Sequence, residues 1–291
     1  MTMKTSQCQS TPSFNSCRWY FSIIVAFFSL SFSSGSISAA EKTLTVAEAM
    51  NVSGRQRMLS QRIAKSYLMM AMDVDYLEAR RQRNQAIALF EDQLHKLIAF
   101  APSMDIRTKL DTTNTLWQKY KTMAEAEIPD KKGAEKVMAL SEQLLEHCHN
   151  VVLAIESFSG AESAHLVNVS GRQRMLSQRI AKYYLAYNFG LTSNSPIDSL
   201  HASMQQFETA QAKLMASDLN NPSIDKALKK VHARWVFSKQ GFSNIKEKIF
   251  VPHVISFTSE SILRRMDSIT YLYEQVMAEK SQSNNNQIAA I

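Results

Sequence analysis

Asn51–Lys65 reads NVSGRQRMLSQRIAK, and Asn168–Lys182 reads the same fifteen letters again. Each copy carries four cations: Arg55, Arg57, Arg62 and Lys65 in the first, Arg172, Arg174, Arg179 and Lys182 in the second. Neither copy contains an Asp or a Glu. A cation that leaves water needs a counter-charge, since an unpaired buried charge is expensive. That charge must come from another part of the chain or from a bound anion. The planar guanidinium fork suits a planar oxyanion, and each charge-assisted hydrogen bond is worth about 1.5–3 kcal/mol. Nitrate, planar with three acceptor oxygens, matches that donor geometry. The other residue types offer little competing chemistry. His95, His147, His149, His165, His201, His232 and His253 are scattered, and no nucleophile triad, metal-ligand spacing or phosphate loop accompanies them. A binding protein is expected rather than an enzyme, with no metal or organic cofactor.

At about 100° per residue, Val52, Leu59 and Ile63 fall together as a core face. Ser53, Arg57, Ser60 and Ala64 form a second face, bordered by Gly54 and Gln61, and Asn51, Arg55, Met58 and Arg62 a third. The second face is a seam of small residues holding one long cation. Gly54 costs about 1 kcal/mol relative to Ala inside a helix. Both copies accept that cost, which points to close approach of a helix backbone or a ligand. Arg57 and Arg174 are therefore the leading candidates for ligand contact, with Gly54, Gly171, Asn51, Asn168, Arg55 and Arg172 beside them. Asn51 reads equally well as a helix cap. Arg62 and Lys65 read as solvated or paired with acidic side chains.

These segments sit in a duplicated chain. The identical stretches start at Asn51 and Asn168, 117 residues apart; Phe90 matches Phe207 at that spacing, and Trp117 matches Trp235 with a slip of one. Fifteen identical positions amid divergent surroundings point to shared chemistry, because packing alone tolerates exchange of similar apolar residues. Gly and Pro are scarce, 7 and 6 residues in 291, which favours long helices. Breakers divide each repeat into four stretches, roughly 45–73, 75–100, 104–127 and 133–158, then 163–191, 196–217, 222–248 and 252–280. Apolar residues recur at helical spacing within them, as at Ile87, Phe90, Leu94 and Leu97. The expected class is all-α: two tandem up-down four-helix bundle units, residues 41–160 and 161–280, followed by a polar, disordered tail at 281–291.

Residues 1–40 read as an export signal. Lys4 and Arg18 precede an apolar run, Trp19–Phe32, and Ser38 and Ala40 mark a small-residue cleavage site. The run falls short of the ~20 residues needed to span a bilayer. A soluble periplasmic protein is expected, an uncleaved N-terminal membrane anchor being the alternative. Cys8 and Cys17 leave with the signal, so Cys148 has no disulfide partner and reads as a helical core residue. Removing Lys4 and Arg18 from 33 Lys and Arg leaves 31 against 26 Asp and Glu, a net charge of +5. The charges are dispersed, without the basic runs of a nucleic-acid binder.

The repeated motif resembles the signature of the type IV pili methyl-accepting chemotaxis transducer N-terminal domain, the PilJ-type sensor module. It is also similar to the P-box of NarX-type nitrate/nitrite sensors, N-x-[A/S]-G-x-x-R-M-x-S-x-R. Asn51, Ser53, Gly54, Arg57, Met58, Ser60 and Arg62 fit that pattern, as do Asn168, Ser170, Gly171, Arg174, Met175, Ser177 and Arg179. The resemblance implies a periplasmic helical bundle whose first helix pairs with its counterpart in a dimer. One anion, nitrate or nitrite, would sit between them, held by the arginines at 57 and 174 and by backbone near Gly54 and Gly171. Family receptors continue into a membrane span and a signalling domain, which this sequence lacks, so output is expected to pass through a separate membrane-bound sensor or chemoreceptor. The second reading is a helical scaffold of a pilus or chemosensory system with no small ligand.

Two geometries are open. Helix 51–73 pairs with helix 168–190 of the same chain, bringing Arg57 and Arg174 together, or the units stack end to end and each completes its site in a homodimer. Two such charges ~4 Å apart repel by about 4 kcal/mol at an effective dielectric of ~20; an anion between them reverses the sign.

Overall fold

Helix starts are written in capping residues and prolines. The Thr45 hydroxyl accepts from the Glu48 amide and the Glu48 carboxylate accepts from the Thr45 amide, a reciprocal cap that begins α1 at Val46–Ala71. The left-handed Asp73 and Asp75 turn the chain into α2, Tyr76–Phe100. Ser103 caps α3, Met104–Ala124, and Asp130 caps α4, Lys131–Ser159. Gly160, at φ 61°, ends α4 in the left-handed region that glycine adopts without steric cost. α5 follows at Glu162–Asn188. Proline, whose missing N–H costs nothing at a first helical position, opens α6 at Pro196–Met215, α7 at Pro222–Ser243 and α8 at Pro252–Ala289. The computed structural model describes residues 43–126, 129–193, 195–243, 245 and 251–289, and every α-helix or strand among them is one of these helices. The export segment read at residues 1–40 lies outside the described residues. The helices follow the sequence breakers to within a few residues, except that α8 runs on to Ala289 through a stretch expected to be disordered.

The described residues pack as one compact unit. α1 and α5, the helices with the repeated motif, lie against each other at its centre. α1 also packs on α2 and α4, and α5 on α6 and α8. The intrachain pairing is thus the one adopted, and the end-to-end arrangement is not. Each repeat builds the same aromatic core, Phe90 stacking on Trp117 at 4.0 Å and Phe207 packing on Trp235 at 4.5 Å. The central position of α1 changes the meaning of its wheel. Between Ala49 and Met70 only Val52, Arg55 and Arg62 keep partial exposure. The polar faces are as buried as the apolar one, because helices surround it on all sides.

Candidate ligand-binding site

The glycines set the separation of α1 and α5. A Cβ placed on Gly54 would lie 3.9 Å from the Gly171 Cα, and one on Gly171 would lie 3.8 Å from the Gly54 Cα. The same two points lie 3.2–3.6 Å from Nη2 of both Arg57 and Arg174. Both guanidinium groups therefore converge on the glycine crossing, and both are out of water: Arg57 is 1% exposed and Arg174 0%.

Each arginine reaches across to the opposite helix. Arg57 Nη2 donates to the Asn168 carbonyl at 3.1 Å, and Arg174 Nη2 donates to the Asn51 carbonyl at 3.0 Å. The Nε–H of each is buried without a partner. The resemblance between the halves ends at Nη1. Arg174 Nη1 donates to Asp267 Oδ1 at 2.6 Å and to Asn51 Oδ1 at 2.8 Å. Arg57 Nη1 lies 3.2 Å from His149 Nδ1. A guanidinium has no acceptor, so Nδ1 must carry the lone pair and His149 is the neutral imidazole. Burial, with the Arg57 and Arg172 charges, pushes its pKa down to about 4. Burial, then Arg174 and Arg172, lowers Arg57 to about 9. Arg174, also lowered by burial, is partly held up by Asp267 and stands at about 10.

The remaining motif residues divide between ligand-facing and structural positions. Arg55 donates to Asp267 at 3.0 Å, whereas its counterpart Arg172 donates to the amide oxygen of Gln206 at 3.2 Å. Asn51 is not a helix cap, since α1 begins at Val46; its amide donates to Glu274. Asn168 donates to Glu156 at 2.5 Å. Arg62 and Lys65 both bind Glu260, and Arg179 and Lys182 both bind Glu142. Lys65 and Lys182 are fully buried. Those carboxylates belong to the other repeat, so the pairs lock the repeats together. Burial would raise the Glu142 carboxyl, but Lys182 and Arg179 overcome that and bring it to about 2. Cys148 is fully buried, and burial pushes its thiol up to about 12, so it is an inert core residue.

Residues of α4 and α8 complete the site and were not singled out in the sequence: Glu142, His149 and Glu156 on one side, Glu260, Asp267 and Glu274 on the other. Their signal was present. Ser141-Glu142 and Ser259-Glu260 echo each other 118 residues apart, the same slip that relates Trp117 to Trp235.

Arg57, His149 and Arg172 border a cavity of about 370 Å³ between α1, α4 and α5. Liquid water takes ~30 Å³ per molecule, so a small ion fits with room for its hydration. His149 and Arg172 also border a groove of about 780 Å³ between α4, α5 and α6. No group of three or more His, Cys, Asp or Glu among the described residues is placed to hold a metal ion, and no helix among them is long and apolar enough to cross a membrane.

Two helical repeats that cross at paired glycines, with buried arginines at the crossing, define a duplicated all-α bundle module. The sequence matches the family described as Type IV pili methyl-accepting chemotaxis transducer N-term over residues 39–142 and again over 157–249, together more than half of the chain. The chain belongs to that family in two tandem copies, a family of signalling rather than catalytic domains. No curated protein and no solved structure matches it.

Proposed function

We propose that the chain is an exported sensory module that recognises a small planar oxyanion, nitrate or nitrite, between α1 and α5. Occupancy is relayed to a separate signalling partner. The observation that carries this reading is Arg57: fully buried, donating only to a neutral imidazole and a backbone carbonyl, and without a carboxylate partner among the described residues. The adjoining cavity gives an anion room to approach it. The P-box pattern supports nitrate and nitrite as the first ligands to test, the family supports a chemotaxis output, and the Trp19–Phe32 and Ser38–Ala40 pattern supports export to the periplasm. Binding biases a two-state element: without an anion the buried Arg57 charge is uncompensated beside Arg174 and Arg172, and with one it is compensated.

The test is a thermal-shift series with sodium nitrate, nitrite, sulfate and phosphate on the wild type and on Arg57→Gln. At a hundredfold excess over Kd a single site contributes about 2.7 kcal/mol, a rise of about 5 °C or more for a chain of this size. Arg57→Gln should remove the shift. Absence of a shift with every anion sinks the reading and leaves the second one, an interaction scaffold without a small ligand. That second reading draws on the Arg174–Asp267 pair and the cross-repeat pairs of Glu142 and Glu260, in which motif cations already serve packing.

A further inference from the structure

The two halves of the crossing are built on one plan, with an exchange at the position that meets the central arginine. Residues 142 and 260, 149 and 267, and 156 and 274 are each 118 apart, and each pair occupies equivalent places on α4 and α8. The outer pairs are alike: Glu142 and Glu260 each hold an Arg and a Lys of the motif helix from the opposite repeat, and Glu156 and Glu274 each accept from a motif asparagine. Only the middle pair changes chemistry. Asp267 puts a carboxylate against Arg174 and Arg55. His149 puts a neutral ring against Arg57, and Arg172, the counterpart of Arg55, turns to Gln206. Neither Arg57 nor Arg172 has a carboxylate ion pair among the described residues. The cavity of about 370 Å³ opens at this point, bordered by Arg57, His149, Arg172, Arg179, Glu142 and Glu146. Three arginines thus face two carboxylates, one of which, Glu142, is already engaged by Arg179 and Lys182.

We propose that the crossing holds a single anion half-site, formed by Arg57, His149 and Arg172, because the Asp267 carboxylate occupies the equivalent place in the second repeat as a built-in anion. Residue 149 decides whether a half-site is open. A neutral imidazole leaves the guanidinium charge for a guest; a carboxylate there closes it. His149 is a specificity-determining position rather than a mere packing residue, and one ion binds per chain. The groove of about 780 Å³ that shares His149 and Arg172 supplies the way in from solvent.

This inference rests on the anion reading, and calorimetric titration of the full chain with sodium nitrate separates the two. The wild type should bind one nitrate per chain. His149→Asp, which copies the second repeat, should bind at least 100-fold more weakly and melt higher without ligand. His149→Asn, neutral and similar in size, should bind nitrate more tightly than His149→Asp, because no carboxylate then meets Arg57. Asp267→Asn should melt lower without ligand and take up a second nitrate. Each variant's melting transition shows that it folds. Two nitrates per wild-type chain, or undiminished binding by His149→Asp, overturns the single half-site while the anion reading stands. No binding of nitrate, nitrite, sulfate or phosphate by the wild type overturns the anion reading itself.

Discussion

A guanidinium taken out of water must satisfy its donors and compensate its charge; both arginines leave Nε–H unpartnered, but Arg174 has its charge compensated by Asp267, whereas Arg57 has no carboxylate partner among the described residues. The cost appears on its neighbour. Burial first, and then the Arg57 and Arg172 charges, hold the His149 ring neutral, its folded pKa near 4 against an ordinary 6.5, which fits Nδ1 facing the Arg57 donor. The groups acting on it are Arg57 from α1, Arg172 from α5 and Glu156 along α4, the two arginines outweighing the carboxylate. Between those pH values the unfolded chain binds a proton that the folded chain refuses. Stability from this group is therefore complete above pH 6.5 and falls as pH drops toward 4. Denaturation curves of wild type and His149→Asn should diverge across that window, the wild type losing more; parallel curves would mean that the ring is not held neutral. Sequence reasoning reached Arg57 and Arg174 because an acid-free run of cations on a small-residue seam is visible in one dimension. It did not reach His149 or Asp267. Neither stands out alone, and their meaning arises only when α4 and α8 are set in register and residues 149 and 267 are found at equivalent places against the two arginines.

Helices that cross closely need small residues where they meet, and the pattern extends beyond Gly54 and Gly171. Gly133, in the first turn of α4, lies under the Tyr67 ring near the end of α1: a Cβ there would lie 2.1 Å from the Tyr67 hydroxyl oxygen, 3.2 Å from Cζ and 2.9 Å from Asp130 Oδ1. The ring is rigid and fully buried, so the start of α4 would have to move, at the cost of overpacking, about 1–3 kcal/mol. Gly133→Ala should lower the urea midpoint by that amount despite the better helix propensity of Ala. In a Tyr67→Phe background the loss should shrink, since the closest atom is gone. Equal losses in both backgrounds in a double-mutant cycle would place the strain elsewhere. At this scale most of the structure was legible. Thr45, Ser103, Asp130, Gly160 and the prolines at 196, 222 and 252 set the helix starts and stops within a few residues. The misses have physical causes. The polar run SQSNNNQ reads as tail by composition, yet it contains no Gly or Pro to stop a helix already under way, and α8 continues through it. Asn51 carries a capping side chain but sits in the second turn of α1, where its amide serves Arg174 and Glu274 instead.

The repeats exchange partners across the molecule, so neither is complete alone. Lys65 is fully buried and its counter-charge is Glu260 of the second repeat; Lys182 is fully buried and its counter-charge is Glu142 of the first. Cutting such a pair leaves an uncompensated buried cation, about 3–5 kcal/mol of destabilisation, a large share of the 5–15 kcal/mol that holds a domain together. A fragment of residues 43–160, containing α1 to α4, loses Glu260 and the whole α5 face of α1 at once. A second copy of the fragment can restore both, because its α1 carries the motif of α5 and its Glu142 stands where Glu260 stood. The fragment should therefore sediment as a dimer whose melting temperature rises with protein concentration. Glu142→Gln in the fragment should dissociate it, since that one carboxylate then serves both halves. Such a dimer would have His149 on both sides of the crossing and no Asp267, so the repulsion between its two Arg57 side chains would be compensated on neither side. Its stability should rise with added nitrate more steeply than that of the full chain. A fragment that stays monomeric and melts cooperatively would show that α1 does not depend on its partner helix, and that the buried lysines are not what joins the repeats.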